Sequence, residues 1–275
     1  MAYDKIVDST ALDTALTDIA DAIRTKTGKT DPLTLEQMPS EIEGISGGGI
    51  SSVYENLKYA KSVSFYDATL PDTFEVTLPD AQEDFYNLFV RAHVKNIIVH
   101  SNAQPTSMHS TFQYANLGNL QTVTLDFDTS KVTSYAACFY FGIGGWGGYF
   151  TAIYGVLDFT SVTTTREGDM FSATRNLKDV TFAANTLGVS FNASEILNIN
   201  DTSLLSLINC LKDRTGEGAL TLTVASAWKT ADTGRLYVSY VKLNADTGLY
   251  VLCEQTDEGA MTMADAITSK NWTIA

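Results

Sequence analysis

The chain has 275 residues, 44% of them apolar, and a formal net charge of −14 at pH 7. That length and composition favour one or two folded domains and argue against a chain that is disordered throughout. The negative charge argues against nucleic acid and anionic membrane surfaces as partners, because phosphate binding needs a basic footprint. No run of apolar residues approaches the length of a membrane span, so we expect no membrane insertion.

The chain ends and the cysteines bear on the compartment. Residues 1–8 lack the apolar stretch of a secretory signal peptide, and no anchor sequence is present at the C-terminus. We therefore expect a protein that folds in the cytosol of the cell that makes it. Cys138, Cys210 and Cys253 are far apart and odd in number, which favours buried free thiols over disulfides or a metal pair.

The first predicted element is a helical hairpin over 1–46, followed by a Gly/Ser linker over 47–52. Apolar residues recur there at helical spacing, namely Leu12, Leu16, Ile19 and Ile23. A second short helix is predicted around 35–45. A hairpin of this size buries too little surface to be stable alone. We expect these four residues to mediate oligomerisation or attachment, with packing onto the rest of the chain as the alternative.

Residues 19–28 read Ile-Ala-Asp-Ala-Ile-Arg-Thr-Lys-Thr-Gly. They resemble a short module near the N-terminus of tail, baseplate and fibre proteins of phages that infect Gram-positive hosts. The resemblance implies a virion protein that is assembled in the host cytoplasm. It also implies that the partners are copies of the chain itself, with trimers favoured by analogy, and other virion proteins.

A repeat organises the middle of the chain. Four segments share an apolar residue, two spacers, a β-former, one spacer and a second apolar residue, and they begin at Val94, Leu120, Tyr154 and Leu177. Self-similarity at this period predicts a solenoid, because one strand with its return segment cannot bury its apolar face alone. Residues 60–65 and 73–78 fit the strand pattern weakly and are predicted as atypical first coils.

A short helix is predicted between these first coils and the repeat. It covers Asp80 to Ala92, with Phe85, Leu88 and Phe89 facing inward.

Leu120 to Ser134, with the sequence Leu-Gln-Thr-Val-Thr-Leu-Asp-Phe-Asp-Thr-Ser-Lys-Val-Thr-Ser, resembles the BspA-type leucine-rich repeats of bacterial and phage surface proteins. Met170-Phe171 followed by Leu177 matches the same pattern. The fold we expect is α/β: the N-terminal helical hairpin, a short, irregular leucine-rich-repeat-like solenoid over 53–200, and a C-terminal α+β cap over 201–275. In that cap we predict a helix with Asp201 as N-cap, a strand from Leu220, an inserted β-hairpin over 235–253, a helix over 261–269 and a last strand from Trp272.

An insertion from Phe141 to Phe150 interrupts the repeat with glycines and aromatic residues. Exposed aromatic rings suit sugar or protein binding, because their flat apolar faces stack on partners. The candidate contacts are Tyr140, Phe141, Trp146, Tyr149 and Phe150, with Tyr237 and Tyr250 of the hairpin as further candidates. Contact with a neighbouring subunit, packing within the chain and binding of a host ligand all remain open for this loop.

Catalytic and cofactor motifs are missing from the sequence, so we expect neither an enzyme nor a cofactor. His93, His100 and His109 lack the spacing of a metal site. Asp126, Asp128 and Asp158 lie beside predicted strands. Aligned carboxylates can hold a cation, but such residues more often form turns.

The favoured interpretation is a non-enzymatic virion protein that is structural and binds a host glycan or surface protein by multivalent display. A bacterial cell-surface adhesin is the alternative, and a depolymerising enzyme is the third hypothesis.

Overall fold

The computed structural model describes residues 16–24, 30–32, 62–115, 119–142, 149–164, 169–230 and 233–275, together with Thr34 and Gln37. The chain divides into two compact units, Met1–Asn56 and Leu57–Ala275. In the first unit, residues 16–24 are helical; Ile23 is buried, Leu16 is half-buried and Ile19 is 49% exposed. Leu12 and the second predicted helix lie outside the described residues.

The second unit is a mixed α/β structure built on a parallel β-solenoid. Five strands stack in chain order: β1 (Thr73–Thr77), β2 (Asn96–His100), β3 (Thr122–Asp126), β4 (Ala152–Leu157) and β5 (Asp179–Phe182). Buried residues alternate with exposed ones along β1 and β5 and with half-buried ones along β2, as the pleat of a strand requires. The stacked register places Phe74, Ile97, Val123 and Ile153 side by side in the core.

The strands predicted from the repeat correspond to β2, β3, β4 and β5, but the alignment of the third copy was wrong. Ala152 pairs with Thr122, so the residue equivalent to Leu120 is Phe150, not Tyr154. Phe150 is buried like Leu120, whereas Tyr154 faces solvent. The error has a physical cause: β4 advances four residues between Ala152 and Val156 while β5 advances two, from Asp179 to Thr181. This bulge disturbs the pattern from which the copy was aligned.

The return segments between the strands form a second backbone ladder. Phe85 N donates to Ser107 O, and Met108 N donates to Ser134 O, each at 3.0 Å. Asn87 and Ser110, at φ 57° and 55°, turn the chain within these segments. The helix predicted from Asp80 to Ala92 is therefore wrong, because alternate amides, such as those of Phe85 and Phe89, bond to the next coil, and the amides between them form isolated turns. Its three apolar residues do face inward, since Phe85, Leu88 and Phe89 are buried.

A stack of phenylalanine rings runs through the core along the solenoid. It consists of Phe65, Phe89, Phe112, Phe139 and Phe171, and consecutive centroids are 5.1, 5.5, 5.3 and 5.8 Å apart. The rings are nearly parallel, with interplanar angles of 12° or less. Coils stack at the strand spacing of about 4.8 Å, which suits offset ring stacking. Phe65 joins this stack from a turn region, so the strand predicted over 60–65 is not formed in its described part, 62–65.

The remaining elements follow the solenoid: β6 (Phe191–Ala193), α1 (Asp201–Cys210), β7 (Leu220–Val224), α2 (Arg235–Val238), β8 (Tyr240–Leu243), β9 (Tyr250–Cys253), β10 (Met261–Thr262), α3 (Met263–Ser269) and β11 (Trp272–Ile274). Strands β11, β7 and β6 form a parallel sheet, and β10, β8 and β9 an antiparallel one. The predicted hairpin is present as β8 and β9. Its first strand begins later than predicted, because Arg235–Val238 is helical.

Helix α1 covers the edge of the five-stranded sheet. Ser203 Oγ accepts a hydrogen bond from Val180 N at 3.0 Å, and Ser206 Oγ accepts one from Phe182 N at 2.8 Å. These two hydroxyls satisfy backbone groups of β5 that a sixth strand would otherwise use, which blocks pairing with another chain at this edge. The N-cap of α1 is Asn200, whose side chain accepts from Ser203 N, and not Asp201 as predicted.

Lys270 closes the other end of α1. Its Nζ donates to Ile208 O at 3.1 Å and to Leu211 O at 2.8 Å, which satisfies carbonyls at the helix C-terminus. Burial lowers the pKa of this lysine.

The cysteines are free thiols. Cys138 and Cys210 are buried, as predicted, while Cys253 is half-buried. Within the described ranges, no helix has both the length and the apolar character needed to cross a membrane.

Candidate ligand-binding face

The described residues of the aromatic and glycine insertion differ in exposure. Phe141 and Phe150 are fully buried and contact each other edge to face, with centroids 5.0 Å apart. Phe150 also stacks on Phe139 of the ring stack, at 5.8 Å. The structure therefore corrects the prediction that these two residues contact a ligand, because packing within the chain occupies both rings. Trp146 lies outside the described residues.

The other two predicted contacts of this insertion differ in exposure. Tyr149 is 59% exposed. Tyr140 is half-buried and meets Tyr114 edge to face, at 5.4 Å between centroids. A ligand contact at either tyrosine stays a prediction.

The two predicted ligand contacts of the C-terminal hairpin also differ in exposure. Tyr250 is buried, and its hydroxyl shares a 2.8 Å hydrogen bond with Ser269 Oγ. Its backbone is held by the side chain of Asn209 through two further hydrogen bonds. Tyr250 thus fixes the hairpin onto α1, which corrects its assignment as a ligand contact. Tyr237, on α2, is exposed.

The outer face of the five-stranded sheet carries exposed apolar side chains. On its fourth strand, β4, Tyr154 is 52% exposed and Val156 is 46% exposed. Ile98 and Thr124, on the two preceding strands, are half-buried. Parallel sheets are usually covered on both faces, so an open face with exposed apolar residues indicates a surface for a partner.

A row of polar side chains crosses this face near the start of the strands. Asn96 Nδ2 donates to Thr73 Oγ1 at 3.3 Å, and Thr122 Oγ1 donates to Asn96 Oδ1 at 2.9 Å. The row links β1, β2 and β3 through side chains in addition to their backbone ladder. The outer face is thereby held in one arrangement.

At the other end of the same strands, His100 lies between two carboxylates. Its Nδ1 is 2.7 Å from Asp126 Oδ2, and its Nε2 is 2.9 Å from Glu75 Oε1. Both ring nitrogens can donate only when the imidazole is protonated. Burial alone lowers the pKa of His100, but the hydrogen bonds and charges of Asp126 and Glu75 outweigh it and raise the pKa above 6.5.

The His100 cluster was missed from the sequence. The histidine is 26 residues from Asp126 and 25 from Glu75, so no short motif contains the three residues. The sequence did contain one indication of this cluster, because both distances along the chain are close to the period of the repeat.

The His100 cluster should make the stability of the protein depend on pH. The pKa of His100 is higher in the folded than in the unfolded protein, so protonated His100 stabilises the fold. This stabilisation is complete at pH values below the unfolded pKa and is lost as the pH rises through the folded pKa. We expect His100→Gln to lower the free energy of unfolding by up to about 1 kcal/mol at pH 5.5, and to have almost no effect near pH 9. Urea unfolding of both proteins at each pH measures the difference. His93→Gln, at an exposed histidine, is the control, and a His100→Gln effect that is equal at both pH values would contradict the prediction.

The other acidic residues singled out in the sequence form turns. Asp128 Oδ1 accepts from Ser130 N at 2.9 Å, and Asp158 Oδ1 accepts from Thr160 N at 2.7 Å. The turn-forming alternative is confirmed for both. Across the described ranges, no group of three His, Cys, Asp or Glu side chains is arranged to hold a metal ion.

A shallow polar depression of about 190 Å³ lies elsewhere on the solenoid, lined by Asp169, Phe171, Ser172, Asn192, Ser194 and Glu195. It is smaller than most ligand pockets, which measure about 300–1,000 Å³. The open sheet face is therefore the stronger candidate site.

Comparison with known proteins adds no relative: no protein family, no curated protein and no solved structure matches the chain.

Proposed function

We propose that this chain is a non-enzymatic phage virion protein of the tail tip, baseplate or fibre, which binds the host surface through its solenoid. The observation that carries the proposal is the open outer face of the five-stranded sheet, on which Tyr154 and Val156 of β4 are exposed. Strands in register, linked by side-chain rows and a core ring stack, hold this face rigid. A rigid solenoid face suits presentation of fixed contacts to a large partner.

The N-terminal unit would supply the assembly function. Residues 19–28 resemble virion attachment modules, and Ile19 is an exposed apolar residue on a helix, as a docking surface requires. We propose a helical hairpin over 1–46 that forms a homo-oligomer, a trimer by analogy, or docks on other virion proteins. Several copies of a weakly binding solenoid would then act together, and avidity would raise the overall affinity.

We also propose that the solenoid is leucine-rich-repeat-like over 53–200, that 47–52 is a linker and that 201–275 forms its cap. The hydrogen bonds from Ser203 and Ser206 to β5 support the capping role of the last segment. The net charge of −14 supports a protein or glycan partner on the host cell rather than nucleic acid.

Immunogold electron microscopy tests the virion assignment. Antibodies against the purified chain are applied to particles released by the bacterium that carries the gene, and to the washed cells. The proposal predicts gold at the tail ends of the particles. Gold on the cell wall of uninfected, uninduced bacteria, with none on particles, would contradict it and favour the cell-surface adhesin.

A further inference from the structure

We propose that Tyr154, Thr124 and Asp126 form a binding site for a neutral sugar polymer on the outer face of the five-stranded sheet. The proposal deepens the proposed function, on which it rests, because it names the chemical class of the host ligand. The site lies on the sheet rather than on the aromatic insertion, for which ligand binding was one of three open alternatives.

Tyr154 provides a stacking platform. It lies on β4, an interior strand of the sheet, and is the large aromatic residue that this strand exposes, at 52%. The half-buried Gly155 that follows, at φ 105°, sits in the register shift between β4 and β5. Bulges of this kind re-aim side chains next to binding sites. An exposed ring on a rigid strand can stack on the C–H face of a sugar with little loss of conformational entropy.

Polar groups flank the ring on the adjacent strand. Thr124 is the direct register partner of Tyr154, and Asp126 lies two residues further along on the same face. Neighbouring strands are about 4.8 Å apart and two residues span about 6.6 Å, which places both groups within reach of a sugar ring over Tyr154. The Asp126 carboxylate is largely exposed and is oriented by the 2.7 Å contact with His100 Nδ1. Such a carboxylate can accept hydrogen bonds from sugar hydroxyls.

Charge and shape select the ligand class. The largely exposed carboxylate of Asp126 is part of the site, and the whole chain carries a net charge of −14, so polyanions are repelled. The face is open rather than enclosed, which suits a polymer lying across the strands better than a small molecule. Val156, exposed two residues beyond Tyr154, extends the apolar strip for a second sugar unit.

Saturation-transfer NMR with the full chain tests the proposal. The probes are soluble oligomers of glucose, galactose, rhamnose and N-acetylglucosamine, with hyaluronan oligomers as the polyanion. We expect at least one neutral oligomer to bind and hyaluronan not to bind. Tyr154→Ala should weaken that binding at least tenfold, whereas Tyr154→Phe should retain it because the ring face remains. Tyr66→Ala, at a tyrosine of similar exposure (54%) in a turn outside the sheet, is the matched control and should leave binding unchanged.

Three results would overturn the sugar site: no neutral oligomer binds, Tyr154→Ala binds as well as the unmodified chain, or hyaluronan binds best. Near-ultraviolet circular dichroism of Tyr154→Ala confirms that a loss of binding is not a loss of fold. If the particles carry gold at their tail ends but no neutral sugar binds, the sugar site fails while the virion assignment stands.

Discussion

Replacing Phe112 with alanine is expected to lower the free energy of unfolding by about 3–5 kcal/mol, the usual cost of truncating a buried phenylalanine. Phe112 is the central ring of the core stack, 5.5 Å from Phe89 and 5.3 Å from Phe139, and is fully buried. The substitution removes two ring contacts and leaves a cavity between coils. In a solenoid, stability depends on interfaces between neighbouring repeats, and this change weakens two of them.

Urea unfolding followed by circular dichroism measures the Phe112→Ala effect. Phe112→Leu, which retains more of the buried volume, should cost clearly less than Phe112→Ala and is informative even if the alanine variant fails to fold. Tyr149→Ala, at an exposed ring, should change stability by less than about 0.5 kcal/mol. A cost below about 1 kcal/mol for Phe112→Ala would mean that the ring stack does not organise the core.

Gly155→Ala should be the second severe substitution. Gly155 has φ 105°, a conformation that residues with a side chain rarely adopt. A Cβ there would lie 2.3 Å from Leu125 O on the backbone of β3, which cannot move without disturbing the sheet. Backbone strain costs about 1–3 kcal/mol and overpacking costs about the same. Together they should lower the free energy of unfolding by about 2–6 kcal/mol.

Gly218→Ala is the matched control, because a Cβ at Gly218 meets no atom within 4 Å. We expect it to change stability by less than about 0.5 kcal/mol in the same unfolding experiment. Any folded Gly155→Ala protein should also bind neutral oligosaccharides more weakly, since a shift of β4 moves Tyr154. Equal stability of the two alanine variants would show that the close approach of Gly155 to β3 is not structurally important.

The strands could be predicted from the sequence because each coil must bury its own share of a common core. Val94, Leu120 and Leu177 are buried, and each lies two residues before the first residue of its strand, which is β2, β3 or β5. The return segments could not be predicted in the same way. Their apolar residues have helix-like spacing, but the positive φ values at Asn87 and Ser110 and the bonding between coils have no comparable sequence pattern.

The candidate ligand-binding face was harder to predict than the fold. Tyr154 satisfied the apolar position of the repeat, and only the strand register places it on the outside. The His100 cluster joins residues of three coils, and such contacts are specified by stacking rather than by any local sequence. The glycines of the insertion suggested exposed aromatic rings, yet Phe141 and Phe150 satisfy the core's need for apolar volume.

Multivalent display requires that the chain assemble through its N-terminal unit, and the mass in solution decides whether it does. Light scattering is measured for the whole chain, whose protomer mass is 29.9 kDa, and for a version that begins at Ser51. We expect an oligomer for the whole chain, a trimer by analogy, and a monomer for the shortened one. A whole chain that remains a 29.9 kDa monomer at all concentrations tested would contradict self-assembly through the N-terminal unit.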